Sequence, residues 1–213
     1  VDVEFVGHPL LEVLGSQMSR KSFCKRYGIE GSRKILGLFP GSRRQEIENI
    51  LPVMLSAAKQ IAYETDMEVA LGVAPTLEEK YFKTLFPVDG IHLVSGATYE
   101  LMEHSDFAIV TSGTATLETA CFGTPMFVVY RTSWLTYLIG RLLVRVRNIG
   151  MVNIVAGKQI VPEFVQQSAS AKNLVREAVR LFRDEKKLSG MKAELSKVKS
   201  LLGEVGASRR VAD

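Results

Sequence analysis

Residues 111–118, Thr-Ser-Gly-Thr-Ala-Thr-Leu-Glu, follow an apolar run at 107–110 and precede the small and apolar residues 120–122. This pattern predicts a buried strand, a tight glycine turn and a helix that opens on small hydroxyl residues. The free N–H groups in the first turn of such a helix point outward together, and the helix dipole favours an anion beside them. Glu118 adds a carboxylate that can reach a neighbouring hydroxyl. The stretch fits the phosphate cradle of a nucleotide or nucleotide sugar, and it fits an ordinary capped turn equally well.

Around this stretch the chain alternates between apolar strands and amphipathic helices. Strands are predicted at 3–6, 34–39, 68–73, 91–94, 107–110 and 126–130. Helices are predicted at 19–27, from about 46 to 65, and at 76–85, 99–104, 114–122, 134–146, 171–183 and 185–202. Ser42 and Gln45 have the form of a capping box before the long helix. Residues 147–163 show no regular pattern.

Strands that are almost continuously apolar and alternate with helices indicate an α/β fold with a doubly wound, mostly parallel, Rossmann-like sheet. In the strand order 3-2-1-4-5-6, the strands at 34–39 and 107–110 lie side by side at the switch point. The turns that follow them, Gly41-Ser42-Arg43 and Ser112-Gly113-Thr114, are then expected to meet at one crevice. This convergence favours a phosphate site in which Arg43 faces a diphosphate. The alternative for Arg43 is a surface ion pair with Glu46 or Glu48.

Composition and charge indicate a soluble globular protein and argue against a zinc- or disulfide-stabilised one. The chain has 213 residues, 46% of them hydrophobic and 23% charged, as in a soluble globular protein. A net charge of +4 suits phosphates or an anionic membrane surface without indicating nucleic acid. Two distant cysteines predict neither structural zinc nor a disulfide framework, and they favour a reducing, cytosolic compartment. The chain begins with Val rather than Met, which suggests a fragment whose natural N-terminus lies upstream.

Motifs of the common nucleotide enzymes are missing from the sequence. There is no GxxxxGK[ST] and no GxGxxG, which disfavours an ATPase or a dehydrogenase. The three histidines are scattered, and neither a Ser/His/Asp order nor a carboxylate pair indicates a complete hydrolase site. No carboxylate cluster predicts a metal.

The segment 134–147 is apolar over most of its circumference and carries several arginines. Trp134, Leu138, Arg141 and Arg145 are candidates for contact with an anionic membrane or an acyl chain. A buried helix that also packs on another domain or subunit is an equal alternative. The segment is too short to span a bilayer.

Six motifs in order resemble one known family. They are GHPLLE (7–12), PGSRRQEI (40–47), SGTATLE (112–118), MFVVYR (126–131), VNIVAG (152–157) and VPEFVQ (161–166). The chain is similar to the C-terminal part of lipid-A-disaccharide synthases, which are glycosyltransferases with two Rossmann-like halves (the GT-B architecture). The resemblance implies a UDP-sugar-binding domain at 1–166 with an N-terminal linker strand. Helices at 167–213 would pack on the same domain or on a partner half.

The resemblance also implies an activity in lipid A and lipopolysaccharide biosynthesis of Gram-negative bacteria. It is the transfer of 2,3-diacylglucosamine from UDP-2,3-diacylglucosamine to 2,3-diacylglucosamine 1-phosphate (lipid X). The enzyme would be inverting, need no metal or cofactor, and lie on the cytoplasmic face of the inner membrane. Its own N-terminal half would supply the acceptor site and general base, so this chain alone would be inactive. A homodimer is a further expected assembly, and no nucleic acid is expected as a partner.

Individual residues take roles by the same resemblance. Arg43 would contact the diphosphate and stabilise the leaving group, beside Gly41 and Ser42. Ser112, Gly113 and Thr114 would hold phosphate through N–H and hydroxyl groups, and Glu118 would bind the ribose hydroxyls. Asn153 would lie near the donor, and Glu163 and Gln166 would line the same cleft. The chain has Met151-Val152 where the family usually has Leu-Pro.

Two other functions remain open at the level of sequence. One is a different UDP-sugar transferase or epimerase of the GT-B class, because SGTATLE alone fits several of these enzymes. The other is a non-catalytic module that binds a nucleotide or docks on a membrane.

Overall fold

Six strands form one sheet in the computed structural model, which describes residues 5–132 and 148–212. They are β1 (Lys34–Phe39), β2 (Met67–Val73), β3 (His92–Ser95), β4 (Phe107–Thr111), β5 (Met126–Tyr130) and β6 (Glu163–Val165). Their order is β3-β2-β1-β4-β5-β6, and each neighbouring pair is parallel. The predicted strand order and the α/β fold class are therefore confirmed.

Helices precede, connect and follow these strands. They are α1 (Leu10–Val13), α2 (Arg20–Tyr27), α3 (Arg44–Thr65), α4 (Glu79–Leu85), α5 (Thr98–His104), α6 (Thr114–Cys121), α7 (Met151–Val155), α8 (Ala171–Phe182), α9 (Glu185–Leu201) and α10 (Ala207–Ala212), with a 3-10 turn at Gln166–Ser168. Within the described ranges, no helix is long and apolar enough to cross a membrane.

The central strands are buried on both faces, as their apolar sequences require. Leu36 of β1 pairs in register with Val69 on one side and Phe107 on the other, and Leu36 and Phe107 have no exposed surface. The chain steps outward from β1 to β3 and then returns to β4. Because parallel crossovers are right-handed, this reversal places α3 and α4 on one face of the sheet and α5 and α6 on the other.

The two long C-terminal helices pack on the same core. α8 lies against α3, and α9 lies against α6. The ring of Phe182 meets the ring of Phe107 edge to face, with centroids 5.1 Å apart. Leu195 of α9 is fully buried. These helices therefore complete both helical layers around the sheet.

Several local predictions need correction. Residues 147–163 contain α7 and the start of β6, although no regular pattern was expected there. The capping box of Ser42 and Gln45 is wrong: Arg43 holds the extended backbone of the N-cap, with φ −97° and ψ 126°, and no side chain caps the helix. Phe5 and Val6 are not in a strand.

Two predictions concern residues outside those that the structure describes. They are the rest of the strand predicted at 3–6, and the helix predicted at 134–146 with Trp134, Leu138, Arg141 and Arg145.

Candidate functional site

A cavity of about 920 Å³ opens at the carboxyl ends of β1 and β4. Both predicted turns line it, Gly41-Ser42-Arg43 after β1 and Ser112-Gly113-Thr114 after β4. Their predicted convergence is confirmed. The cavity lies at the point where the strand order reverses, which is where open α/β sheets bind ligands.

The turn after β4 presents the start of α6 to this cavity. Gly113 has φ 155° and ψ −167°, a conformation open essentially to glycine alone. Thr114 is the first helical residue and is exposed. The N–H groups of a helix's first turn have no acceptor inside the helix, so this turn offers donors and a positive dipole end to an anion.

Ser112 is already engaged within the protein. Its N–H donates to the Val129 carbonyl at 2.9 Å, and its hydroxyl donates to the Ile149 carbonyl at 2.8 Å. Ser112 therefore fixes the position of the turn. Within the described residues, the N–H groups of Gly113, Thr114 and Ala115 have no protein acceptor, whereas that of Thr116 donates to the Gly113 carbonyl.

The turn after β1 contributes a positively charged side chain, Arg43, to the cavity. Gly41 has φ 98°, and a Cβ at this position would lie 3.1 Å from the Thr111 methyl carbon, so the turn can approach β4 closely. The Arg43 side chain is 80% exposed, and its Nη1 lies 2.9 Å from Oε1 of Glu46. Arg43 thus lines the cavity and also forms the surface ion pair of the alternative interpretation.

Glu118 stands on the cavity wall as a partly buried carboxylate. Burial raises its pKa, because a charged carboxylate is less well solvated there. Burial and the nearby Glu118 charge also raise the pKa of Tyr99, which lines the same cavity. Among the described residues, no group hydrogen-bonds to the Glu118 carboxylate. It is available to the hydroxyl groups of a ligand.

Glu100 is a site residue that the sequence interpretation missed. It is buried in the first turn of α5, lines the cavity, and accepts a hydrogen bond from the Gln17 N–H at 3.2 Å. This bond holds the N-terminal segment over the cavity. An acidic residue in the first turn of the helix that follows β3 was the available signal.

Asn153 and Glu163 do not line this cavity. The Asn153 side chain is fully buried and bonds to the backbone at 160 and 161 and to Glu163. The Glu163 carboxylate accepts the N–H groups of Ile149 at 2.8 Å and Gly150 at 2.9 Å. Asn153 uses all four of its hydrogen-bonding positions within the protein, and Glu163 accepts three hydrogen bonds, so the two side chains stabilise the backbone at 149–150 and 160–161.

Gln166 is also placed away from the cavity. Its side-chain amide exchanges two hydrogen bonds with the backbone of Thr132, at 3.0 and 3.1 Å. This pair ties the 3-10 turn at Gln166–Ser168 to the segment that follows β5. Gln166 does not line the cavity.

A metal centre is not formed by the residues that the structure describes. Over 5–132 and 148–212, no group of three or more His, Cys, Asp and Glu side chains could hold an ion.

The fold and the cavity define a class of protein. MnaA of S. aureus, solved with UDP, has the same fold with a TM-score of 0.57, at 16% identity over 95% of this chain and 48% of that one. An Anabaena protein solved with UDP-glucose gives a TM-score of 0.58, at 13% identity over 97% of this chain and 54% of its own. The chain therefore has a Rossmann-like α/β fold that corresponds to one half of a GT-B fold.

Sequence comparison then identifies the family. The model described as lipid-A-disaccharide synthetase matches residues 1–211, and the chain belongs to this family. The lipid-A-disaccharide synthase of Syntrophus aciditrophicus is 41% identical over 100% of this chain and 56% of its own length. That of Persephonella marina is 38% identical over 99% of this chain and 58% of its own. The chain thus spans little more than half the length of these relatives.

Proposed function

We propose that this chain is the donor-binding part of an inverting hexosyltransferase of lipid A biosynthesis. The whole enzyme transfers 2,3-diacylglucosamine from UDP-2,3-diacylglucosamine to 2,3-diacylglucosamine 1-phosphate, giving lipid A disaccharide 1-phosphate and UDP. Family membership supports this reaction. The observation that carries it is one cavity in which two helix-opening turns, Arg43 and the available carboxylate of Glu118 come together.

Three features of the cavity match the diphosphate and the ribose of UDP. The N–H groups at the start of α6 hold the diphosphate, and Arg43 exchanges Glu46 for a phosphate oxygen. Glu118 accepts hydrogen bonds from the ribose hydroxyls. As the sugar leaves, Arg43 and the helix dipoles stabilise the charge that develops on UDP, so the proposed reaction needs no metal. The UDP and UDP-glucose bound in the two solved neighbours support this choice of ligand.

The remaining length of the relatives supports a second half that holds lipid X and supplies the general base. We therefore expect this chain alone to bind UDP and to make no disaccharide. The sequence of 134–147 supports contact with acyl chains or an anionic inner membrane on its cytoplasmic side, through Trp134, Leu138, Arg141 and Arg145. Equal liposome binding by the wild type and Leu138→Glu would contradict this membrane role.

Calorimetric titration tests the proposed ligand directly. UDP is expected to bind more tightly than ADP or TDP, and Arg43→Ala is expected to weaken UDP about tenfold by removing a charged hydrogen bond. Arg44→Ala is the matched control, because its guanidinium stacks 5.3 Å from the Tyr81 ring centroid and does not line the cavity. Equal affinity for UDP and ADP, or equal losses in the two arginine variants, would contradict the proposal.

Uridine separates the two ends of the site. Glu118→Ala is expected to weaken uridine and UDP alike, since the carboxylate faces the ribose. Arg43→Ala is expected to leave uridine binding unchanged, because uridine has no phosphate.

A further inference from the structure

The backbone at 149–151 forms a wall beside the turn Ser112-Gly113-Thr114, which we call the phosphate turn. The Ser112 hydroxyl donates to the Ile149 carbonyl at 2.8 Å, which ties the turn to this wall. Met151, two residues further on, lines the same cavity as Ser112. A shift of the wall would therefore move one side of the cavity together with the turn.

Glu163 holds this wall from the side away from the cavity. Its two carboxylate oxygens accept the N–H groups of Ile149 and Gly150, and Asn153 Nδ2 donates to Oε1 at 2.7 Å. The fit is close: a Cβ on Gly150 would lie 3.1 Å from Glu163 Oε1 and 3.1 Å from a Val128 methyl carbon. The carboxylate is thus oriented by Asn153 and fitted against a residue that has no side chain.

One peptide unit connects Glu163 to Ser112. The peptide between 149 and 150 donates its N–H to Glu163 and accepts the Ser112 hydroxyl on its carbonyl. A carboxylate at the N–H end polarises the peptide and strengthens its carbonyl as an acceptor. The Ser112 hydroxyl proton is consequently directed to this carbonyl.

We infer that Glu163 is a positioning residue for the nucleotide site, and that it acts on the phosphate turn through the 149–150 peptide and the Ser112 hydroxyl. It does not line the cavity, so its effect on a ligand passes through the residues between them. The inference rests on the proposed function, because UDP affinity is one of its measurements.

A double-mutant cycle on UDP affinity tests the connection. Glu163→Gln keeps the shape and removes the second acceptor oxygen, and it is expected to raise the Kd for UDP about tenfold, as is common for residues that support a binding group from behind. In a Ser112→Ala background the same change is expected to alter Kd less than about twofold, because the connection is already broken. The inference would be overturned if the fold-changes in Kd of the two single variants simply multiply in the double variant. It would also be overturned by a folded Glu163→Gln variant with wild-type affinity for UDP.

Glu194→Gln is the control for the change of chemistry. It replaces a carboxylate that bonds to Lys158 and Lys197 on the surface of α9, and it should leave the Kd unchanged. A loss equal to that of Glu163→Gln would mean that the effect is one of net charge, and would overturn the inference.

Amide hydrogen exchange gives a measurement that needs neither a ligand nor the Glu163 variant. Ser112→Ala is expected to speed exchange at Gly150 about tenfold, because the peptide loses its carbonyl partner. Unchanged exchange at Gly150 would overturn the inference even if Glu163→Gln fails to fold. If the wild type does not bind UDP, the proposed function fails while this measurement still decides the connection.

Discussion

Replacing Glu118 with Gln removes a negative charge from the cavity wall and keeps the size of the side chain. Burial raises the pKa of Glu118 above its ordinary value of 4.5, so ionisation costs the folded protein more than the unfolded chain. The contribution of Glu118 to the free energy of unfolding is therefore fully present at acid pH, where the carboxyl is protonated, and it is lost as the pH rises through the raised pKa. Gln does not ionise, so the variant has no poorly solvated, unpaired charge at this position. We expect its free energy of unfolding at pH 7 to be about 1 kcal/mol higher than that of the wild type.

The expected result is a variant that is more stable and binds less well. At pH 7 the Glu118→Gln protein should melt about 2–4 °C higher than the wild type in ligand-free calorimetry. Below the ordinary pKa the two proteins should melt together, because Glu118 is then protonated in both states. A lower melting temperature at pH 7, or a difference that persists in acid, would refute the reasoning from burial.

The ligand side of the same variant is tested with two nucleotides. UDP should bind about tenfold more weakly to Glu118→Gln, since a neutral amide is a weaker acceptor for the ribose hydroxyls. UDP that lacks both ribose hydroxyls should bind the two proteins equally. A tenfold loss with both nucleotides would place the effect somewhere other than the ribose.

Three further substitutions, with Leu201→Ala as a control, test the architecture. Gly41→Ala should destabilise the chain by about 1–2 kcal/mol in urea unfolding, because alanine is strained at φ 98° and its methyl would meet Thr111; unchanged stability would contradict the close approach of the turn to β4. Asn153→Ala should cost about 2–4 kcal/mol by leaving buried hydrogen-bond partners unsatisfied, whereas a loss of affinity without a loss of stability would instead support direct ligand contact. Leu195→Ala should cost about 2–5 kcal/mol with a single unfolding transition. Leu201→Ala, at a side chain that is 54% exposed, should cost under about 1 kcal/mol; equal costs for the two leucines would contradict the packing of α9.

Sequence reasoning succeeded where side-chain burial follows a simple period. The strands β1, β4 and β5 are apolar runs buried on both faces, so their apolar character identifies them, and their alternation with helices predicts their order. β6 was not predicted from the sequence, because it has only three residues, all half-buried, and follows Pro162. Such a strand is defined by its pairing with β5, which no local pattern records.

The same limit applies to the site. Arg43 and Glu118 were found because the turns that carry them follow buried strands. The residue types of Asn153 and Glu163 suit a ligand equally well. Only the fold shows that Glu163 already accepts the N–H groups at 149–150, and that Asn153 already accepts those at 160–161.

The ion pair between Arg43 and Glu46 has to break before Arg43 can bind an anion in the cavity, which disfavours small anions. The pair is mostly exposed on the arginine side, so breaking it costs at most about 1 kcal/mol. Chloride or acetate would offer Arg43 a single charge in place of the Glu46 carboxylate. Glu46 is only three residues away in the same chain, so its effective concentration is high and it is the favoured partner. A diphosphate long enough to engage Arg43 and the start of α6 together gains a second set of bonds when the first forms. Competition within the protein thus selects for ligands that bridge two turns.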